Sequence, residues 1–221
     1  MDTRTRVAAL GALTLCLLVG CGKEAGAPAG RTSGQPAPQA TGEPWYDEVA
    51  AAPSNGTAGG AGSPCPVPVS FPLADGWTAE AVKLPEGELA ELVGDALTKQ
   101  GGTTARCEVD GRRAGGGFLR IWTADSPTLA PRAVLERFAA GTGDTVSGQQ
   151  FRDVRAGAFD ATETSWLTTS ELTAETSRAW ALAVRSAGQT LVFTVNEGLV
   201  TERDDVLPAY RLAVRGLATT T

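Results

Sequence analysis

Between Val67 and Thr123 the apolar positions come in short runs, and turn residues separate the runs. Val67, Val69, Phe71 and Leu73 fall on one side of a predicted strand; Pro68 and Pro72 within it predict a place at a sheet edge. Ala74-Asp75-Gly76 predicts a turn, and Trp77 to Leu84 a second strand. The period then changes. Over Glu86 to Lys99, Leu89, Leu92, Val93 and Leu97 share one face of a short helix. Thr103 to Asp110 and Phe118 to Thr123 return to strand periodicity, with Asp110-Gly111 as the turn signal after the first. In the second, Leu119 and Ile121 oppose Phe118, Arg120 and Trp122, so both faces of that strand are expected to be partly covered.

Pro131 suits the first position of a helix running to Ala140, which buries Val134, Leu135 and Phe138 and stops at Gly141. Gln150 to Ala156, Phe159 to Leu172, Arg178 to Ser186 and Gln189 to Asn196 predict further strands, the last two a hairpin about Ser186-Ala187-Gly188. Thr201 to Asp204 has capping-box spacing, with Asp where Glu or Gln is usual. It precedes a closing helix from about Glu202 to Leu217 that turns Leu207, Tyr210, Val214 and Leu217 inward; Pro208 is placed to delay its start. Strands joined mostly by hairpins, with helices inserted in the middle and at the end, predict an α+β domain. Its frame is a mainly antiparallel β-sheet with helices packed against it.

The first 64 residues follow another pattern. Arg4 and Arg6 precede 14 uncharged residues, Val7 to Gly20. As a helix that run spans about 21 Å, short of the ~30 Å bilayer core, and it reads as a signal segment. It ends in Leu18-Val19-Gly20-Cys21, which resembles the bacterial lipobox. The resemblance implies cleavage before Cys21, acylation there (palmitate included), and a place on the outer face of the cytoplasmic membrane. Two acyl chains are what stable anchoring needs. The bland alternative is a secretory signal with a chance cysteine.

Of the 43 residues from Gly22 to Pro64, 31 are Gly, Ala, Pro, Ser or Thr, too few apolar groups to offset the entropy of ordering them. The chain is thus read as a signal peptide over 1–20, a lipidated Cys and disordered tether over 21–64, and one α+β domain over 65–221. Trp45-Tyr46 interrupts the tether. The pair either docks a partner or folds back on the domain, and folding back is favoured because exposed aromatics are sticky.

Composition removes several functions. A net charge of −6, with 19 basic residues in 221, argues against nucleic acid as a partner. The absence of histidine excludes Ser-His-Asp and Cys-His nucleophiles and His-ligated zinc. Gly115-Gly116-Gly117 lacks the Lys-Ser/Thr of a phosphate loop and precedes a strand. No cofactor or metal is expected. Of four cysteines, Cys16 leaves with the signal and Cys21 takes the lipid, which leaves Cys65 and Cys107 for a disulfide in an oxidising compartment. Two free thiols are the alternative. Glu163, Glu171 and Glu175 could furnish the paired carboxylates of a hydrolase, though solvated charges on a strand or loop explain them more simply. Gly141-Thr142-Gly143-Asp144 reads as a helix C-cap plus turn, and the four tryptophans Trp77, Trp122, Trp166 and Trp180 could line a sugar or lipid pocket or equally be core, where Trp77 and Trp122 are expected.

Three segments carry a family resemblance: Phe71-Pro72-Leu73-Ala74-Asp75-Gly76-Trp77, the strand Thr190-Leu191-Val192-Phe193-Thr194-Val195, and Leu207-Pro208-Ala209-Tyr210. Their order resembles the actinobacterial lipoproteins of the LpqN type, whose fold is the PsbP-like α/β sandwich. That implies a non-catalytic accessory or ligand-carrying role at the cell envelope. The expected partners are the membrane through Cys21 and an envelope protein, lipid or glycan. The alternative is a carboxylate-dependent hydrolase of envelope material. Cys21→Ala is expected to move the chain from the membrane to the soluble fraction when cells are fractionated.

Overall fold

A computed structural model describes residues 42–83 and 87–220, so the expected signal, Cys21 and the first part of the expected tether lie outside the described residues. The strands are β1 (Ser54–Gly59), β2 (Val69–Ala74), β3 (Thr78–Ala81), β4 (Lys99–Gln100), β5 (Thr103–Asp110), β6 (Phe118–Ala124), β7 (Thr145–Ala156), β8 (Phe159–Thr169), β9 (Thr176–Ser186), β10 (Gln189–Asn196) and β11 (Ala218–Thr219). The helices are α1 (Glu88–Thr98), α2 (Pro131–Ala140) and α3 (Arg203–Arg215). All strand pairing is antiparallel. The large sheet runs β3-β5-β6-β10-β9-β8-β7, with β4 beside β3 on β5, and a small sheet runs β1-β2-β11. The α+β class holds.

Alternation gives the large sheet two different faces. Trp180, Leu182 and Val184 of β9 and Leu191, Phe193 and Val195 of β10 turn toward α3 and β2. The intervening Ala179, Ala181 and Ala183 turn the other way and leave room for Val134, Leu135, Phe138 and Ala139 of α2. β5 serves both layers because its register shifts between Ala105 and Cys107. Ala105 packs with the α2 layer, whereas Cys107 and Val109 pack with the α3 layer. A bulge re-aims side chains in this way. It also points Cys107 at Cys65, and the two form the disulfide with Cα atoms 5.2 Å apart.

Several expectations need correction. The ordered fold starts before Cys65: β1 pairs with β2, and Trp45 is buried. Composition misleads here because strand pairing uses backbone groups, and one aromatic pair supplies the apolar anchor. β2 is a central strand, not an edge; β11 reaches only Val69 and Ser70, so Pro72 needs no partner on that side. β2 and β3 are not a hairpin, since the turn at Gly76 (φ 74°) carries the chain from one sheet to the other. Leu97, expected on the covered face of α1, is 53% exposed; the helix joins β3 to β4, which both pair with the outer rim of β5.

The cap of α3 is Glu202 with Asp205, one residue later than Thr201 with Asp204, and Pro208 lies inside the helix. β7 begins at Thr145, before the expected Gln150. Glu163 is 1% exposed, not solvated.

The disulfide closes a loop with a sequence separation of 42. Replacing both cysteines by Ala is expected to cost on the order of 4 kcal/mol by chain entropy, read as a lower urea midpoint with a steeper slope, because the unfolded chain without the crosslink exposes more surface.

Candidate functional site

The ten residues of α2 make about 15 Å of helix, while the 11-residue strands β8 and β9 each run about 36 Å. The helix therefore covers less than half of the sheet face beneath it. Its end is pinned by two glycines: a Cβ on Gly101 would lie 2.1 Å from the Arg137 carbonyl oxygen, and one on Gly141 would lie 2.4 Å from the Gly101 nitrogen. Beyond that pin the face is open. A cavity of about 250 Å³ has Trp122, Trp166 and Phe138 among its walls, with the hydroxyls of Thr142, Thr168 and Thr194. It shares Asp144, Thr168, Ser177 and Asn196 with a shallower groove of about 500 Å³ across the strand ends, where Thr173, Glu175 and Glu197 add to the lining.

Among the described residues four buried side-chain polar atoms lack a partner, two of them on residues lining this cavity and the others Thr190 Oγ1 and Arg211 Nε. The Trp122 indole donates to Thr194 Oγ1 at 3.2 Å, and Gln100 Nε2 donates to the Phe138 carbonyl at 3.0 Å. The Trp166 indole N–H and the Thr142 hydroxyl are buried without a partner among the described residues. A buried group left unpaired costs roughly 1–3 kcal/mol. Another cavity, about 370 Å³ along β3 and β5, includes Glu80, Lys83, Glu108, Asp110, Arg112 and Arg120 in its lining. These answer each other as Lys83–Glu80, Arg112–Asp110 and Arg120–Glu108.

The carboxylates weighed as an acid pair are not brought together as one. Glu175 lines the groove and Glu171 is exposed in the β8–β9 turn. Glu163 faces the opposite layer. There it accepts from Tyr210 Oη at 3.0 Å, from Arg211 Nη1 at 3.3 Å and from Arg152 at 2.6 Å. Arg152 also grips Asp47 with both terminal nitrogens, at 2.6 and 2.8 Å, and lies 4.4 Å from the centre of the Trp45 ring. Arg211 donates to the Trp45 carbonyl, and the Trp180 indole donates to the Pro44 carbonyl at 2.9 Å. Arg203 covers the Tyr46 ring at 4.2 Å. Residues 42–49 are thus clasped onto the domain, and the Trp45-Tyr46 island folds back.

Two guanidiniums and two carboxylates balance within the clasp. The hydrogen bonds from Arg152 hold Asp47 below the usual carboxylate range, against the opposing effect of burial. Burial works against the Arg152 charge, but Asp47 and Glu163 more than restore it and its pKa rises. Burial, then the Glu163 charge, pushes the Tyr210 phenol well up, so it stays a neutral donor to Glu163.

Trp122 and Trp77 are buried as expected, Trp122 in the wall of the cavity and Trp77 in the α3 layer. Cys65 and Cys107 staple the α3 layer and take no part in the groove. The sequence reads Gly141-Thr142-Gly143-Asp144 as a C-cap plus turn and leaves Trp166 between core and pocket wall. The available signal is that β8 reads Thr162-Glu163-Thr164-Ser165-Trp166-Leu167-Thr168-Thr169, hydroxyl-rich beside the aliphatic β9 and β10.

A family model described as uncharacterised lipoprotein matches residues 35–217. Among solved structures the chain is similar to LpqN of Mycobacterium tuberculosis, described as involved in cell envelope biogenesis. Identity is 17% and the TM-score 0.36, over 75% of this chain and 90% of that one. A search of the curated proteins finds no match.

Asp47→Asn is expected to cost about 1–3 kcal/mol, because Arg152 loses its second charged partner while buried. Since the Asp47 pKa is lower folded than unfolded, its contribution is complete above ~pH 4 and disappears as pH falls through the folded value. Urea melts at pH 7 and at pH 3 check both points: the difference between wild type and Asp47→Asn should shrink on acidification.

Proposed function

This chain belongs to a family of uncharacterised lipoproteins, and on that premise we propose that it is a lipid-anchored binding module. It works at the outer face of the cytoplasmic membrane, held by an acylated Cys21, and its ligand is a small neutral hydroxyl-bearing group of the glycan class. The observation that carries this reading is the pair of unpartnered groups, the Trp166 indole N–H and the Thr142 hydroxyl, in a cavity with aromatic walls. A hydroxyl-bearing guest accepts from the first and exchanges a hydrogen bond with the second. Asp144, Glu175 and Glu197 nearby disfavour an anion and accept from a ligand's hydroxyls. At about 250 Å³ the cavity is below the 300–1,000 Å³ of drug-sized sites. It takes one ring or the end of a longer chain lying along the groove.

The test is calorimetric titration of the full chain with neutral mono- and disaccharides of hexose and N-acetylhexosamine. Saturable binding is expected, weakened about 5-fold by Trp166→Phe, which keeps an aromatic ring and removes only the unpaired donor. The same variant should not lower the urea midpoint by loss of a hydrogen bond, because in the free protein that N–H has no partner. Binding indifferent to Trp166→Phe, or none across the panel, overturns the glycan reading. Turnover of a saccharide that stops with Asp144→Asn or Glu175→Gln would instead favour a carboxylate-dependent hydrolase.

A further inference from the structure

Three aliphatic side chains stand almost free of the protein: Leu172 is 97% exposed, Val200 94% and Leu199 79%. They occupy two connections, 170–175 between β8 and β9 and 197–202 between β10 and α3, at one end of the large sheet. Those connections meet, for Thr173 and Leu199 line the same groove. A solvent-facing turn needs none of these side chains, and the ordinary choice there is polar.

The described chain begins at the same end. Glu43 sits 3.7 Å from Arg178, two residues into β9, and Tyr46 lies under Arg203, the first residue of α3. Only 20 residues separate Cys21 from Gly42, a reach of at most about 70 Å. A lipid at Cys21 therefore leashes the domain by the end that carries the three aliphatic tips. The Ser186–Gln189 hairpin at the other end of β9 lies about 30 Å further from the point of attachment.

We propose that this end of the domain rests on the membrane surface, with Leu172, Leu199 and Val200 inserted among the lipids. The proposal rests on the anchoring of Cys21 described above. A lipid surface suits the patch better than a protein does: three side chains on two loop tips cannot supply the roughly 800 Å² per partner of a stable protein interface. A leashed domain needs only a weak second contact, because the anchor keeps its local concentration high. Glu171, Glu175, Glu202 and Asp204 surround the tips against Arg203, so the contact favours zwitterionic over anionic lipid. The mouth of the groove then lies beside the headgroup layer, not toward the outer wall.

The test uses the full lipidated chain, reconstituted in phosphatidylcholine vesicles. Cys65 and Cys107 are bonded to each other, so Leu172→Cys, Val200→Cys and, at the far end, Gln189→Cys each offer one thiol for an environment-sensitive fluorophore. Flotation of the vesicles reports anchoring separately. The expected result is blue-shifted emission at positions 172 and 200, at least halved by lipids brominated near the headgroup, and unaltered emission at position 189. Floated protein with all three labels equally wet overturns the proposal and leaves the anchor intact. Labels at 172 and 200 that are dry yet unquenched by lipid also overturn it, in favour of a protein contact. Protein that does not float removes the anchor and the proposal together.

Discussion

A carboxylate on the inner face of a sheet must be answered on every side, and Glu163 dictates much of what surrounds it. Its oxygens draw Arg152 from the neighbouring strand β7 and both Tyr210 and Arg211 from α3. This fixes the rotation of the helix over the sheet as well as its distance from it. Arg152 then has donors to spare, and Asp47 takes them. The leading segment is ordered for that reason, although its composition is that of a linker. Breaking a buried set of this kind by removing one member costs roughly 3–5 kcal/mol, because the remaining charge cannot return to water. An apolar residue at position 163 would bury as well, but it would specify neither the helix register nor the docked segment.

The contrast between the two faces of the large sheet follows from side-chain size. On the α3 face Trp180, Leu182, Phe193 and their neighbours fill the space between layers. On the α2 face alanines alternate along β9, and the helix above them ends early. A full layer there would have left no cavity. The incomplete one leaves a cavity beside Trp122 and Trp166, which stay buried, with Phe138 edge-on to both at 5.2 and 6.3 Å.

Where a residue's role depends on its neighbours in sequence, the primary structure was readable. β5, β10 and α2 begin and end where periodicity, Pro131 and Gly141 placed them, and the spacing of Leu207, Tyr210 and Val214 gave the inner face of α3; Leu217 is buried too, but beyond the helix, which ends at Arg215 and not at Leu217. Where the role depends on a distant partner, it was not. Glu163 looks like any strand carboxylate until Arg211, 48 positions on, is laid over it. β1 has almost no side chains to announce a strand and exists because β2 offers it a ladder. The orphaned Trp166 N–H is a property of space left empty, which no local pattern encodes.

The disulfide also has a mechanical meaning. Tension applied from the N-terminal side reaches the clasp at residues 42–49 first and β1 next. If both give way, the stretch from Gly42 to Cys65 pays out at most about 80 Å of chain. The pull then passes across the sulfur bridge to Cys107 and directly into β5, which lies inside the large sheet. Residues 66–102, including β2, β3 and α1, lie in the loop that this covalent path bypasses. The leading segment thus works as a shock absorber with a hard stop, and the strands that wall the groove lie behind that stop.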